Sequence, residues 1–221
     1  MRIDDLLDNS PWLSGLTAEE QEVVRKEMIV KVIPADGFVC HRGESSDYWF
    51  GLISGLVKMN NVSLTGKAVT LLGIPAGVWF GEGSLLKNEP RKYDVVALRQ
   101  SELALLPKAV FNWLLENNLS FNRYLIDLLN NRLGQFIAAV ENERLLDVEA
   151  RVARSLASML ETQLSTNVNH SLQISQEELG HLAGVSRQRA NAALKILEEN
   201  GLLTVNYGEI KILDLDGLKD F

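Results

Sequence analysis

A single cysteine, Cys40, in 221 residues excludes an intramolecular disulfide framework and any four-cysteine zinc or iron–sulfur centre. Histidine is also scarce. His41, His170 and His181 would have to supply two ligands of a facial triad, yet the latter two lie in or beside a helical pattern and His41 reads as a surface residue at a strand end. No metal ligand set is assigned, and nothing in the sequence names a cofactor. No nucleophile elbow, P-loop or H-E-x-x-H motif is present, so an enzyme is not expected. No run approaches the ~18 apolar residues of a membrane span, and the start MRIDDLLDNSPW lacks the basic start and apolar core of a signal peptide. The expectation is a cytoplasmic protein with no membrane partner. Positive charge is in deficit as well. Residues 147–221 carry 7 Lys+Arg against 11 Asp+Glu, a net −4 of the chain's −7. A domain that merely coats nucleic acid electrostatically would be basic, so any affinity here must rest on local contacts.

What the chain does carry is a well-punctuated helix pair in residues 174–203. Ser175 and Glu178 form an S-x-x-E capping box, Leu179, Leu182 and Ala183 give an apolar face, and Gly184 ends the helix. Ser186 can cap a second helix whose apolar positions Ala190, Ala193, Leu194 and Leu197 keep helical spacing. Arg187, Gln188, Arg189, Asn191 and Lys195 occupy its start and polar side. Arg, Gln and Asn are the side chains that make bidentate contacts to base edges in the major groove. In a helix-turn-helix the second helix enters that groove N-terminus first. Ser175, Ser186, Arg187, Gln188, Arg189, Asn191 and Lys195 are therefore the candidate DNA-binding residues. Asn200-Gly201 closes the second helix, and residues 202–205 and 209–213 alternate as two strands about Asn206-Tyr207-Gly208, a hairpin suited to a wing.

The first hundred residues have another texture. Strand-like runs at 28–33, 38–41, 48–53, 56–60, 68–74, 94–97 and 102–107 are separated by glycines, which predicts an all-β double-sheet jelly roll. A helix over 17–28, boxed by Thr17 and Glu20, precedes it. A long helix is expected over 120–146. Ile126, Leu129, Leu133, Phe136 and Val140 are spaced 3, 4, 3, 4, a coiled-coil seam, while Leu125, Leu128 and Ile137 form a second apolar flank. One flank can meet the chain's own β-domain and the other the same helix of a second subunit. A two-fold dimer would also set two recognition helices one DNA turn apart.

The segment Gly81-Glu82-Gly83-Ser84-Leu85-Leu86-Lys87-Asn88-Glu89-Pro90-Arg91 combines a G-E, a short helix and an arginine. With the roll before it and the long helix, the junction Asp147-Val148-Glu149-Ala150-Arg151 and the winged helix after it, it resembles the phosphate-binding cassette of the cyclic-AMP receptor protein/fumarate–nitrate regulator (Crp/Fnr) superfamily. The resemblance covers nearly the whole chain. It implies an α+β protein: an N-terminal cyclic-nucleotide-binding-like roll (1–118), a dimerisation helix (119–146) and a C-terminal winged helix-turn-helix domain (147–221). It implies a homodimeric, allosterically controlled, sequence-specific transcription regulator, partnered by double-stranded DNA, by a small anionic effector, and by RNA polymerase if it is an activator. A nucleotide-sensing module acting through a protein partner is the alternative, and it leaves the winged helix unexplained.

The implied effector residues are Glu82, Gly83, Ser84, Arg91, Lys92 and Phe136. Several positions depart from the cyclic-AMP-binding pattern. Lys92 and Tyr93 follow the arginine where a small hydroxyl residue is usual, and Phe136 and Ile137 stand where Thr and Ser meet adenine. Cyclic AMP is therefore not the expected effector, and Lys92 is expected to place a cation in the pocket, paired with Glu82 or Glu89. The iron–sulfur relatives' cysteine cluster is missing, and neither Cys40 nor His41 matches a haem ligand. In the recognition helix Arg187 matches the family's first base-reading arginine. Gln188 replaces a common glutamate and Ala192 a common second arginine, which implies a different half-site.

Overall fold

The computed structural model describes residues 2–62, 68–143, 147–164, 170–206 and 208–221, with the backbone alone for residues 62, 68–69, 135, 138–143 and 162–164. The chain divides into two compact units, Met1–Met59 with Ile74–Asn131, and Asn60–Gly73 with Arg132–Phe221.

The first unit begins with helices α1 (Ile3–Asp8), α2 (Pro11–Ser14) and α3 (Ala18–Glu27). Proline opens α2, where its missing N–H is harmless. Thr17 caps α3 as the sequence predicts: the Glu20 amide donates to Thr17 Oγ1 at 3.2 Å and the Thr17 amide to Glu20 Oε2 at 2.8 Å. Eight strands follow along the chain, interrupted by one short helix: β1 (Ile29–Ile33), β2 (Phe38–Cys40), β3 (Tyr48–Ser54), β4 (Leu56–Val62), β5 (Ala68–Pro75), β6 (Trp79–Phe80), α4 (Glu82–Leu86), β7 (Asp94–Ala97) and β8 (Ser101–Pro107), the stretch Asn60–Gly73 being counted with the second unit. They form two four-stranded sheets, in the orders β1-β8-β3-β6 and β2-β7-β4-β5.

Strand β3 is buried along most of its length, so its two faces serve two cores. Trp49 and Ile53, with Ala104 and Leu106 of β8, pack against the flanking helices α1–α3, α5 (Lys108–Asn117) and the start of α6 (Leu119–Glu143). Trp12, Trp49 and Trp79 lie with ring centroids 4.7–5.2 Å apart at the centre of that core. The Trp79 indole N–H donates to Ser10 Oγ at 2.7 Å. On the other face, Phe50 pairs in register with Leu105 and both turn toward the interior of the roll.

In the second unit α7 (Val148–Leu164) presents Val152, Ala153, Leu156, Ala157 and Leu160 to the core at helical spacing. It packs on α8 (Gln176–Ala183), α9 (Arg187–Glu199) and α10 (Leu215–Asp220). Lys219 ties α10 to α7 through Glu161, 2.8 Å away. Strands β9 (Ser171–Gln173), β10 (Leu203–Asn206) and β11 (Glu209–Ile212) form one antiparallel sheet in the order β10-β11-β9. The expected wing hairpin is thus present with a third strand added beside it. Tyr207 at its turn lies outside the described residues.

Candidate nucleic-acid interface and effector cavity

The helix pair forms as its punctuation dictates. The Glu178 amide donates to Ser175 Oγ at 3.2 Å and the Ser175 amide to Glu178 Oε2 at 2.8 Å, closing the box. Gly184 ends α8 in the left-handed conformation, with φ +66°. Ser186 Oγ then accepts the Arg189 amide at 3.3 Å and starts α9. One residue that the sequence analysis passed over makes this turn close. A Cβ at Gly180 would lie 2.9 Å from the Val185 carbonyl oxygen and 3.3 Å from the Arg187 nitrogen. A glycine inside a helix, four residues before its glycine stop, was the signal.

Ala190, Ala193, Leu194 and Leu197 bury the inner face of α9. Arg187, Gln188, Arg189 and Lys195 are exposed on the outer one, and Lys211 is exposed on β11. Asn191 is half-buried, and its Oδ1 accepts a 2.9 Å hydrogen bond from Gln176 Nε2. Two of the acidic residues that made the charge balance awkward hold local backbone amides. Glu178 closes the capping box, and Glu198 Oε1 accepts the Val205 amide at 2.9 Å. On α9 itself the exposed cations Arg187, Arg189 and Lys195 lie toward the start and middle, and the carboxylates Glu198 and Glu199 lie at the far end.

Along α6, Ile126, Leu129, Leu133 and Phe136 are exposed by 65%, 39%, 56% and 65%, an open apolar row. The Val140 side chain lies outside the described residues, as does the expected helix end at 146. The second flank divides: Leu125 and Leu128 pack on the core of the first unit, whereas Ile137 is 51% exposed and joins the open row.

The first unit holds a half-open cavity of about 410 Å3 beside its sheets. Ile33, Val39, Phe50, Leu103 and Leu105 supply apolar walls, and Lys31, Glu44, Asp47 and Arg91 supply charge. Arg91 is only 3% exposed. Its Nη1 donates to the Gly81 carbonyl at 2.8 Å, its Nη2 donates to the Tyr48 carbonyl, and its Cζ lies 4.7 Å from the centroid of the Phe50 ring. Burial lowers its pKa, opposed by Cys40, Tyr93, Asp47 and Glu82. Gly81 must be glycine here, since φ is +90° and a Cβ would meet Arg91 Nη1 at 2.7 Å. Burial also pushes the Cys40 thiol up to about 11, against the pull of Arg91.

Of the expected effector residues only Arg91 lines this cavity; Glu82 and Ser84 are buried in α4, Gly83 is exposed, and Phe136 belongs to the open row of α6. Lys92 corrects the expectation of a cation in the pocket. Its side chain is 63% exposed and its ammonium sits 2.6 Å from Glu89, one of the two partners anticipated, which holds that carboxyl below its usual range. An ammonium that keeps both water and a carboxylate has no reason to enter a pocket beside a second cation. Lys31, Tyr48 and Glu44 were missed because the roll brings them together from separate segments. Ser46 was missed too: it is buried and donates to the Glu89 carbonyl at 2.9 Å, pinning its loop to the cassette. Among the described residues no group of three or more His, Cys, Asp or Glu is placed to hold a metal ion, and no helix is long and apolar enough to cross a membrane.

Two family models match the chain: the cyclic nucleotide-binding domain over residues 30–118 and the Crp-like helix-turn-helix domain over residues 150–221. The cyclic AMP receptor protein of Thermus thermophilus is 26% identical over 206 residues, covering 93% of this chain and 94% of that one. The crystal structure of the Thermus thermophilus catabolite activator protein is 26% identical and matches with a TM-score of 0.53 over 96% of this chain and 97% of that one. FixK2 from Bradyrhizobium japonicum, at 17% identity, shares the fold with a TM-score of 0.69 over 87% of this chain and 96% of that one. With both domain models matched in order and relatives aligned along nearly its full length, the chain belongs to the Crp/Fnr family of transcription regulators.

Proposed function

We propose that the protein is a cytoplasmic, homodimeric regulator that reads a specific DNA site with α9 and has no enzymatic activity of its own. Residues 1–118 form the effector domain, 119–146 the dimerisation helix and 147–221 the DNA-binding domain. The observation that carries this reading is the exposed set Arg187, Gln188, Arg189 and Lys195 on a helix whose opposite face is fully buried and whose start is capped by Ser186. These exposed side chains have a chemistry that suits guanine, adenine and phosphate. The row Ile126, Leu129, Leu133 and Phe136 supports self-association through α6, because a helix face this apolar is stabilised by burial against its own copy. RNA polymerase is a further partner if the regulator activates.

The effector domain we assign to a small anion other than cyclic AMP, with Arg91 as its clamp and Glu82, Gly83 and Ser84 beside it. Two features favour a ligand of different shape. The terminal nitrogens of Arg91 already donate to carbonyls, and Glu44 and Asp47 put carboxylates in the wall. Binding would bias two arrangements of the recognition helices. Repeated selection of randomised duplexes by the purified protein tests the DNA reading. The expected product is a two-fold-symmetric site with half-sites about 10–10.5 base pairs apart or a multiple of that. Enrichment of no sequence would overturn it.

A further inference from the structure

The hydrogen bond from Gln176 Nε2 to Asn191 Oδ1, 2.9 Å long, joins the first residue of α8 to the fifth residue of α9. Asn191 lies one helical turn after Arg187 and one before Lys195, in the middle of the face proposed to meet DNA. An asparagine distinguishes adenine by using both ends of its amide at once, its oxygen accepting from N6 and its nitrogen donating to N7. Resting on the DNA-reading function above, we infer that Gln176 is a positioning residue that holds Asn191 by one end, so that Asn191 offers DNA a single polar group. Oδ1 keeps a second lone pair, but the bond fixes the direction of the amide with Oδ1 toward Gln176, so the end left to face DNA is the Nδ2 donor.

The consequence for recognition follows from the edges of the bases. In the major groove guanine presents acceptors at N7 and O6, adenine an acceptor at N7 and thymine an acceptor at O4, whereas cytosine presents only its N4 donor. A held Asn191 therefore accepts three bases and rejects one. Each half-site should show one position at which cytosine is disfavoured and the other three are tolerated. Losing Gln176 frees the amide for the bidentate contact and narrows that position toward adenine. A carboxylate at 176 can only accept, so it turns the Asn191 amide round and leaves the Oδ1 acceptor facing DNA, which favours adenine and cytosine.

The test is site selection from randomised duplexes by the full-length wild type, Gln176→Leu, Gln176→Glu, Asn191→Ala and the Gln176→Leu/Asn191→Ala double variant, with circular dichroism to confirm folding. The expected result is that Gln176→Leu narrows one position per half-site toward adenine at least five-fold, and that Gln176→Glu admits cytosine there. Asn191→Ala flattens the same position, and the double variant matches Asn191→Ala, because Gln176 acts only through Asn191. A merely structural tie would lower stability without moving base preference. If Gln176→Leu weakens binding evenly across sequences with a smaller salt slope, Gln176 is a phosphate contact and the inference is overturned. A wild-type site left unmoved by Gln176→Leu also overturns it. A wild type that enriches no sequence removes the functional reading itself, a result distinct from either.

Discussion

Replacing Gly180 by alanine should damage the recognition helix without touching any DNA-facing side chain. The added methyl would lie 2.9 Å from the Val185 carbonyl oxygen and 3.3 Å from the Arg187 nitrogen, against an ordinary contact beginning near 3.4 Å. Both obstacles are main chain, which cannot rotate aside, so the turn between α8 and α9 must open by about half an ångström. Overpacking of this kind costs about 1–3 kcal/mol. Alanine returns up to about 1 kcal/mol through its better helix propensity. The net expectation is a loss of about 1–2 kcal/mol in urea unfolding. All four tryptophans lie at or before residue 113, so circular dichroism must report the second unit. Affinity for the selected duplex should fall about ten-fold, because Arg187 moves with the turn and ten-fold is about 1.4 kcal/mol, part of the ~1–3 kcal/mol in each bidentate contact. Gly184→Ala is the control. Its φ of +66° costs about 1–2 kcal/mol, but nothing lies within 4 Å of the new methyl, so folded protein should bind as wild type does. A Gly180→Ala protein as stable and as tight as the wild type would refute the close-turn argument.

Leu133→Glu or Phe136→Glu should yield monomers with little affinity for a two-half-site duplex, measured by sedimentation; a wild type that is monomeric at micromolar concentration would contradict the α6 interface. Calorimetry should find no micromolar binding of cyclic AMP to the wild type or to Lys92→Ser, since Lys92 is paired with Glu89 outside the cavity. Binding that appears on Lys92→Ser would show the lysine in the pocket after all. Cys40 makes stability fall at alkaline pH. Its thiol is raised from 9.0 to about 11 by burial, so the unfolded chain ionises first. Stability is full below pH 9 and declines as pH rises toward 11, by roughly 3 kcal/mol. Cys40→Val should remove that decline in a comparison of unfolding curves, and an unchanged curve would refute it.

Signals carried by neighbouring residues survived translation into structure. The Thr17/Glu20 and Ser175/Glu178 boxes, the Gly184 stop and the Ser186 cap each act over three or four residues, and each forms the hydrogen bond or turn its residue types imply. The β-runs were legible because alternation and glycine turns are local too. Strands β6 and β9, two and three residues long, are too short to show a period. Helix α7 did have a signal, with Val152, Leu156 and Leu160 spaced by four. Interactions set by tertiary geometry were not legible. Gln176 and Asn191 are fifteen residues apart, and the direction of Lys92 depends on where Glu89 sits after the α4 turn. Cavity walls drawn from β1, β2, β3 and β8 have no common sequence motif.

The central claim is that α9 of a dimer reads base edges through Arg187. Affinity and footprint on the selected duplex, measured for wild type and Arg187→Ala at one fixed salt concentration, address it most directly. Each half-site loses a bidentate contact worth about 1–3 kcal/mol, so the dimer should bind at least about 30-fold more weakly, with the footprint lost at matched concentration. Circular dichroism and sedimentation should be unchanged, since Arg187 is exposed and takes no part in the buried face of α9. An Arg187→Ala protein with the wild-type footprint and affinity would contradict the account.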